Sequence, residues 1–456
     1  MERLGVCSPV QLHPDPRGMT RRTFLAGSAS VAAGLPSIGV RGGTAMAATR
    51  RPASAYSAEV PAAWFDLALD LVRTTPGFSP PVASRAFGYA GVALYEAVVR
   101  GMPGRRSLVG RLNGLTRVAC RGEFGLHWPT VANAALAQIL RSLFVTTSAH
   151  NVEAIEALER RFVRRACGML PPRVCRRSVA HGAGVARHIF DWSKTDGGHE
   201  GFLRNFPPYT PPRGAGLWEP TPPGFLPALQ PYWGRNRPFV LRSGDGCSPD
   251  PPPAYSEDPR TPFYEEAYEC YRAVTDLTGE QGAIVRFWSD DPGTTPTPPG
   301  HSISILTQVV RALDLPLSLA SEAYAKVGIA VADAFISCWA TKYRDNLLRP
   351  VTYIRRLIDP QWTPLLATPP FPEYTSGHSV QSAATARVLT DLFGAVAFTD
   401  RTHESRGLPA RSFTSFTDFA REAAVSRMYG GIHFRAAIDR GLEQGFCVGS
   451  RVRALC

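Results

Sequence analysis

F-P-E-Y-T-S-G-H-S, the sequence of residues 371–379, is the stretch that decides the fold. The apolar spacing after it predicts a helix over residues 377–392. Ser376 and the backbone N–H of Gly377 lie at the start of this helix, where unpaired amides and the helix dipole favour negative charge. The stretch therefore predicts a helix N-terminus that binds an anion.

Two further stretches supply the charges that such a site needs. Residues 342–350 read K-Y-R-D-N-L-L-R-P, and residues 426–433 read S-R-M-Y-G-G-I-H. An ammonium group and two guanidinium groups would neutralise a tetrahedral oxyanion, and two histidines are left for chemistry. The candidate site residues are Lys342, Arg349, Ser376, Gly377, His378, Arg427 and His433.

The rest of the chain predicts helices. Apolar residues recur at helical spacing, and residues 86–99 are apolar on nearly all sides, which is typical of a central helix. No segment has a convincing alternation of apolar and polar residues, so we predict an all-α fold of large helical bundles. We divide it into an N-terminal helical half at residues 49–198 and a C-terminal helical half at residues 263–456, which carries the site.

Residues 199–262 interrupt the helical pattern. They are rich in proline and glycine, and they also contain aromatic residues such as Trp218, Tyr232 and Trp233. A loop of this length inside a compact domain is either disordered or functional, and a disordered linker would be poorer in aromatic residues. We therefore predict an ordered flap that packs on the bundle and walls the mouth of the site.

The first 48 residues are predicted to be a signal peptide. T-R-R-T-F-L at residues 20–25 is a twin-arginine pattern, and A-M-A at residues 45–47 fits a cleavage site. Either Met1 or Met19 is the true start. The leader predicts export by the twin-arginine route to the periplasm or the extracellular space. No other stretch has about 18 uninterrupted apolar residues, so no membrane span is predicted.

The composition argues against nucleic-acid binding. The formal net charge is +12, but the arginines are scattered and do not form a basic face with interleaved aromatic residues. The nine cysteines show no zinc-binding spacing. Cys167 with Cys175, or Cys447 with Cys456, are candidate disulfide pairs, and no connectivity is assigned.

In order and spacing, the three stretches resemble the superfamily that joins vanadium-dependent haloperoxidases to type-2 phosphatidic-acid and acid phosphatases. That superfamily has the pattern K-x6-R-P, then P-S-G-H, then S-R-x5-H-x3-D. Here six residues separate Lys342 from Arg349, and five separate Arg427 from His433. The resemblance implies that the oxyanion is vanadate or phosphate.

Further similarity favours the haloperoxidase branch. Residues 369–378 and 287–299 resemble stretches of the fungal chloroperoxidase, and the whole layout is similar to that of secreted bacterial members. The resemblance places Trp339 and Phe371 in the halide pocket and gives Asp291 the role of bracing the pocket arginines. Both aromatic residues are also compatible with an ordinary place in the core.

Two positions depart from the superfamily pattern. Thr375 replaces the proline before Ser-Gly-His, which should alter the turn slightly. Ala437 replaces an aspartate four residues after His433, a natural partner for fixing the tautomer of that histidine. Asp439 or a backbone carbonyl is the expected substitute, although on a helix Asp439 would lie about 200° away from Ala437.

The resemblance implies a vanadate-dependent haloperoxidase. Hydrogen peroxide would be activated with the help of Lys342, and His378 would transfer protons. A halide would then be oxidised to a hypohalous species that halogenates a small organic acceptor. In this hypothesis vanadate is ligated by His433 and held by Lys342, Arg349, Ser376, Gly377 and Arg427.

Two other hypotheses remain. A phosphatase would use His433 as the nucleophile, through a phosphohistidine, and His378 as the general acid; the missing aspartate and the halide-pocket aromatics argue against it. A non-catalytic helical protein with a decayed site is the third hypothesis, but every matched position keeps a suitable residue type. Halide preference and oligomeric state stay open, with a homodimer among the options.

Overall fold

The computed structural model describes residues 51–116, 118 and 125–455, and these belong to one compact unit. The signal peptide predicted at residues 1–48 lies outside the described residues. Helices dominate the described part of the chain, and its sheet consists of two three-residue strands. The all-α prediction is therefore confirmed.

The N-terminal part contains five α-helices. Residues 81–98 of the second helix are all buried, as its apolar sequence predicts, whereas the arginine- and glutamate-rich fourth helix has few buried residues and lies on the outside. The helices are α1 (Glu59–Thr74), α2 (Pro80–Val98), α3 (Trp128–Leu143), α4 (Ala149–Cys167) and α5 (Pro172–Ser193).

The C-terminal part contains eight α-helices and the small sheet. The two antiparallel strands were missed in the sequence because three residues are too few to show alternation. The elements are α6 (Pro262–Thr275), α7 (Gly279–Phe287), α8 (Thr297–Ala312), α9 (Leu317–Asp345), α10 (Pro350–Leu357), α11 (Gly377–Phe393), β1 (Phe398–Asp400), β2 (Arg411–Phe413), α12 (Phe416–Tyr429) and α13 (Arg435–Val452).

Helix α9 is the central element of the fold. It packs along α2, so the two predicted halves share one core. Glycines permit the close approach, since a Cβ at Gly91 would lie 2.4 Å from the backbone oxygen of Tyr324. Of the described helices, only α9 is long and apolar enough to span a membrane, but 94% of its apolar window is buried inside the protein. Its composition is therefore that of a core helix.

The flap at residues 199–262 packs on α9 without α-helix of its own. Trp218 and Trp233 are buried. The carboxylate of Asp333, on α9, accepts hydrogen bonds from the backbone N–H groups of Phe239, Val240 and Leu241 at 2.6, 2.9 and 3.1 Å. Burial raises the pKa of Asp333 to about 6, although these three donors lower it. One buried carboxylate thus anchors the flap to the central helix.

Two disulfides are present in the described chain. Cys167 pairs with Cys175, one of the two candidate pairs. Cys447 pairs with Cys247 of the flap, so the alternative pairing of Cys447 with Cys456 is wrong. The correct partner is 200 residues away in sequence, and no local spacing indicates it. The second disulfide ties the flap to α13.

Candidate functional site

Lys342 lies on the last turn of α9 and is fully buried. Its ammonium group donates hydrogen bonds to the backbone oxygens of Pro372 and Glu373, both at 2.9 Å. Burial lowers the pKa of Lys342 to about 7. The segment before α11 therefore holds the lysine in place, and a bound anion would favour its charged form.

Arg349 is the N-cap residue of α10 and is also fully buried. Its Nε donates to the backbone oxygen of Phe371 at 2.8 Å, and its Nη1 donates to that of Ile432 at 2.9 Å. Nη2 is buried and has no hydrogen-bond partner among the described residues. Burial lowers the pKa of Arg349 to about 10. An unpaired buried guanidinium nitrogen is costly unless it binds an anion.

Arg427 lies near the end of α12, with its side chain buried. Its Nη2 donates to the backbone oxygen of Trp288 at 2.8 Å and its Nε to the Ser426 hydroxyl at 2.9 Å. Burial lowers the pKa of Arg427 to about 10, and the negative charges of Asp290 and Asp291 only partly offset this. The site thus contains a third desolvated cation.

Helix α11 begins at Gly377, as predicted. Ser376 is its N-cap, and the Ser376 hydroxyl accepts a hydrogen bond from the backbone N–H of Ser379 at 3.3 Å. The hydroxyl of Ser379 is buried and has no partner among the described residues. Thr375, in place of the usual proline, donates its hydroxyl to the side-chain oxygen of Gln444 at 2.6 Å. The helix start therefore offers amide and hydroxyl donors to an anion.

His378 contacts the same carbonyl as Arg427. Its Nε2 lies 3.1 Å from the backbone oxygen of Trp288. A carbonyl only accepts hydrogen bonds, so Nε2 carries the proton and Nδ1 is left with a free lone pair. Burial and the nearby Arg427 charge hold the pKa of His378 well below its usual value. His378 is therefore a neutral base.

His433 has an unforeseen carboxylate partner. Its Nδ1 lies 2.8 Å from Oε1 of Glu373, which also accepts the backbone N–H of Phe434 at 2.8 Å. The expected substitute, Asp439, forms no hydrogen bond or ion pair with His433 in the described part of the chain, because it faces Arg435 and other charged groups outside the site. Nothing in the sequence indicated that Glu373 would take the place of the aspartate missing at position 437.

The tautomer of His433 follows from this contact. With the proton on Nδ1, Nε2 keeps its lone pair, which accepts a long hydrogen bond from Nη1 of Arg349 at 3.4 Å. Burial and the charges of Arg349 and Lys342 hold the pKa of His433 well below its usual value. A neutral imidazole with an unprotonated Nε2 is suited to ligate a metal oxyanion.

Trp339 and Phe371 form one wall of the site. Their ring centroids are 5.0 Å apart, and the Lys342 ammonium lies 5.0 Å from the Phe371 centroid. Trp339 is fixed by a 3.2 Å hydrogen bond from its Nε1 to the backbone oxygen of Leu229, in the flap. With His378, Arg427 and His433, these rings line a cavity of about 300 Å³. The predicted halide-pocket residues thus border the same cavity as the histidines.

Asp291 occupies a different position from the one expected. Its exposed carboxylate accepts the hydroxyl of Ser289 at 3.0 Å, and it forms no ion pair with an arginine within the described ranges. Its negative charge acts on Arg427 only at longer range. The neighbouring Asp290 is buried, and both aspartates line the cavity.

Asp290 belongs to a buried charged cluster that the sequence did not indicate. Asp290 and Asp400 flank His301, at 2.9 Å from its Nδ1 and 2.7 Å from its Nε2, and His403 lies 3.1 Å from the other oxygen of Asp290. Burial would lower the pKa of His301, but the two carboxylates raise it to about 10. Each nitrogen of His301 faces a carboxylate oxygen, so both carry protons and the cluster is a buried ion network.

The cluster is linked to the site by Trp288. The indole of Trp288 stacks on His301 with a centroid distance of 4.5 Å. The backbone oxygen of Trp288 is the acceptor for both His378 and Arg427. The ion network thus fixes the carbonyl that orients two site residues.

The donors present fit a vanadate or phosphate group. The start of α11 and Arg427 line the cavity, and the Lys342 and Arg349 cations lie beside the Phe371 ring in its wall. Nη2 of Arg349 and the hydroxyl of Ser379 are buried without a partner among the described residues, which is costly unless they bind an anion. His433 adds an unprotonated Nε2 for ligation. Fold and site define the class as a helical-bundle protein that binds a tetrahedral oxyanion.

Comparison with known proteins identifies the family. A bacterial vanadium-dependent iodoperoxidase is 39% identical, with a TM-score of 0.80, and the match covers 88% of this chain and 97% of that one. The VCPO second helical-bundle domain matches residues 357–455. The chain belongs to the vanadium-dependent haloperoxidases. The phosphatase alternative is not favoured.

More distant structures share the fold. The holo-type bacterial vanadium-dependent chloroperoxidase has a TM-score of 0.62 and 18% identity, over 84% of this chain and 93% of that one. Its apo-type structure gives the same TM-score and identity, over 84% and 94%. No curated protein sequence matches the chain.

Proposed function

We propose that the protein uses bound vanadate and hydrogen peroxide to oxidise halide to a hypohalous species, which halogenates a small organic acceptor. The observation that carries the proposal is the cavity lined by His433, His378, Arg427 and the rings of Trp339 and Phe371. Lys342 and Arg349 lie beside the Phe371 ring, and Arg349 also contacts the unprotonated Nε2 of His433.

Each residue of the site has its own proposed role. His433 would ligate vanadate through Nε2, and the cations with Ser376 and the Gly377 N–H would hold its oxygens. Vanadate would supply Lewis acidity that makes peroxide electrophilic. Lys342 already donates to two backbone oxygens and would donate its remaining N–H toward a peroxide oxygen. Nδ1 of His378 would take the proton that hydrogen peroxide releases.

Iodide is the proposed preferred halide. The iodoperoxidase, at 39% identity, is the relative that supports this. Iodide is the most easily oxidised and most weakly hydrated of the three common halides, and it suits a wall of aromatic rings with little polar surface. Cations near the Phe371 ring, at 4.8 Å for Arg349, supply the attraction for a halide anion.

We also propose the compartment in which the enzyme works. The twin-arginine pattern at residues 20–25 supports export to the periplasm or the extracellular space. The Cys247–Cys447 and Cys167–Cys175 disulfides agree with an oxidising compartment. A homodimer is the proposed oligomeric state, and measuring the mass of the protein in solution would test it.

One pair of assays tests the proposal. Protein lacking residues 1–48 is loaded with orthovanadate and given hydrogen peroxide with iodide, bromide or chloride, and hypohalous product is followed by halogenation of a diketone. Hydrolysis of an aryl phosphate is followed without vanadate. We expect vanadate-dependent halogenation, fastest with iodide, that is lost in His433→Ala. Phosphate release without halogenation would instead assign a phosphatase.

A further inference from the structure

A second cavity of about 660 Å³ adjoins the catalytic cavity. It is lined by the start of α2, the turn before it, the flap and the segment before α11. The two cavities share walls, so an occupant of the outer cavity would border the catalytic one. The residues that line both are Pro80, Leu226, Leu229, Pro292 and Pro370.

The flap holds the shared wall in place. The backbone oxygen of Leu229 accepts hydrogen bonds from Trp339 at 3.2 Å and Tyr343 at 2.8 Å. Its N–H donates to the backbone oxygen of Pro370 at 2.8 Å. Leu229 is therefore tied at once to the halide-pocket tryptophan and to the segment that leads to α11. Three hydrogen bonds of the Leu229 backbone therefore fix the wall that the two cavities share.

The polar side chains around the outer cavity are already paired. The Ser79 hydroxyl donates to Oδ1 of Asn205 at 2.6 Å, and Nδ2 of Asn205 donates to the backbone oxygen of Gly77 at 2.8 Å. Arg73 is paired with Asp70 at 3.0 Å. The cavity therefore offers few free hydrogen-bonding groups to a ligand, and its recognition surface is apolar.

Two large apolar side chains of the flap stay exposed at this cavity. Phe206 is 47% exposed and Leu226 is 50% exposed. Exposed apolar side chains that line a concavity beside a catalytic site mark a ligand-binding surface more often than isolated surface residues do. An apolar ligand would cover both.

We propose that the outer cavity binds the organic acceptor, an apolar and electron-rich aromatic molecule. This inference rests on the proposed haloperoxidase function. It implies that halogen transfer occurs at the enzyme, before the hypohalous acid diffuses away. An acceptor held there would border the cavity that Trp339 and Phe371 line.

The chemistry selects an electron-rich ring. A ring carbon uses its π electrons to form a bond to the halogen while the halogen–oxygen bond of hypohalous acid breaks. The oxygen leaves as hydroxide, takes the proton from the same ring carbon and becomes water. The catalytic cavity supplies the hypohalous acid, so no further oxidant is needed.

The test compares Phe206→Asp with Leu203→Asp. Phe206 lines only the outer cavity, and Leu203, three residues earlier and 65% exposed, lines neither cavity. Triiodide formation without acceptor measures iodide oxidation. Iodination of 2-naphthol, an apolar acceptor, and of the polar zwitterion L-tyrosine measures transfer. Equilibrium binding of 2-naphthol is measured by titration.

We expect Phe206→Asp to weaken 2-naphthol binding and to lower its iodination rate, relative to triiodide formation, by about tenfold, because an apolar ligand would have to desolvate a carboxylate. In Phe206→Asp, the rate of L-tyrosine iodination relative to triiodide formation should equal that of the parent protein. In Leu203→Asp, every measured quantity should equal that of the parent. Equal 2-naphthol binding and iodination by parent and Phe206→Asp would overturn the acceptor site. Absence of triiodide from the parent would overturn the proposed function itself, and with it the acceptor role.

Discussion

Oε1 of Glu373 lies 2.8 Å from Nδ1 of His433 and holds the proton of that histidine on the side away from the cavity. Glu373 precedes α11, whereas the aspartate of the superfamily pattern would lie at position 437, on α13. The carboxylate partner is therefore kept, but it is supplied by a different part of the fold. Burial raises the pKa of Glu373 to about 8, with Lys342 and Arg349 acting to lower it.

Glu373→Gln should weaken vanadate binding by about 10- to 100-fold, the usual effect of removing a carboxylate partner from a metal-ligating histidine. The amide keeps the shape but cannot ionise, so it cannot supply the negative charge that makes His433 a better ligand when Glu373 loses its proton. Vanadate titration of the vanadate-free protein measures the affinity. Asp439→Asn is the control and should bind as the parent does. The reverse result, with loss only in Asp439→Asn, would return the role to Asp439.

Arg349→Ala should lower vanadate affinity by about 100-fold, because it removes charge-assisted hydrogen bonds from a desolvated site. Arg344→Ala is the matched control, since Arg344 is two residues beyond Lys342 and pairs with Asp345 at 2.8 Å outside the site. Phosphate or vanadate binding followed by calorimetry separates the two variants. Circular dichroism checks that the helices remain. Unchanged anion binding in Arg349→Ala would point to a decayed site.

His378→Ala should lower kcat/KM for hydrogen peroxide by about 100-fold or more, the usual contribution of a positioned general base. Vanadate affinity should fall much less, because His433 and the cations remain. The split between these two measurements distinguishes a proton-transfer role from a structural one. If vanadate binding collapsed and the peroxide dependence of the remaining activity were normal, His378 would instead be part of the anion cradle.

The pH dependence of peroxide turnover should follow the same histidine. The pKa of His378 lies well below its usual value, so the base form is already populated at neutral pH. We expect kcat/KM for hydrogen peroxide to be constant above pH of about 6.5, the ordinary histidine pKa, and to fall only at more acidic pH. The profile of His378→Ala should lose that acidic limb. An identical limb in the variant would assign the titration to another group.

The sequence predicted those parts of the site that lie in short, regular stretches. Six residues separate Lys342 from Arg349, a proline follows Arg349, and Ser376, Gly377 and His378 are consecutive at a helix start. Such local spacing is fixed by the backbone: Gly377 and His378 line the cavity, and Lys342 and Arg349 lie beside the Phe371 ring in its wall. The all-α architecture was predictable for a similar reason, because helical periodicity is a local property.

The missed contacts join residues that are distant in sequence. Glu373 and His433 are 60 positions apart, and Asp400 and His301 are 99 apart. Neither a spacing rule nor composition indicates which buried carboxylate meets which histidine, because the packing of whole helices decides it. The disulfide between Cys247 and Cys447 was missed for the same reason.

His301→Gln should make the stability of the protein less sensitive to alkaline pH. Asp290 and Asp400 raise the pKa of His301 to about 10 against the burial that lowers it, from a usual value of 6.5. Between these pH values the folded state holds a proton that the unfolded state has lost, so this stabilisation is complete below pH 6.5 and declines as the pH rises to about 10. The free energy of unfolding therefore changes with pH by at most about 1.4 kcal/mol per pH unit.

Urea unfolding of the parent and His301→Gln at pH 6, 8 and about 9.5 measures this slope. The difference in stability between the two proteins should be largest at pH 6 and shrink by a few kcal/mol as the pH rises. The control variant His150→Gln, at an exposed site, should follow the parent. A difference that stayed constant with pH would mean that His301 is neutral between its two carboxylates.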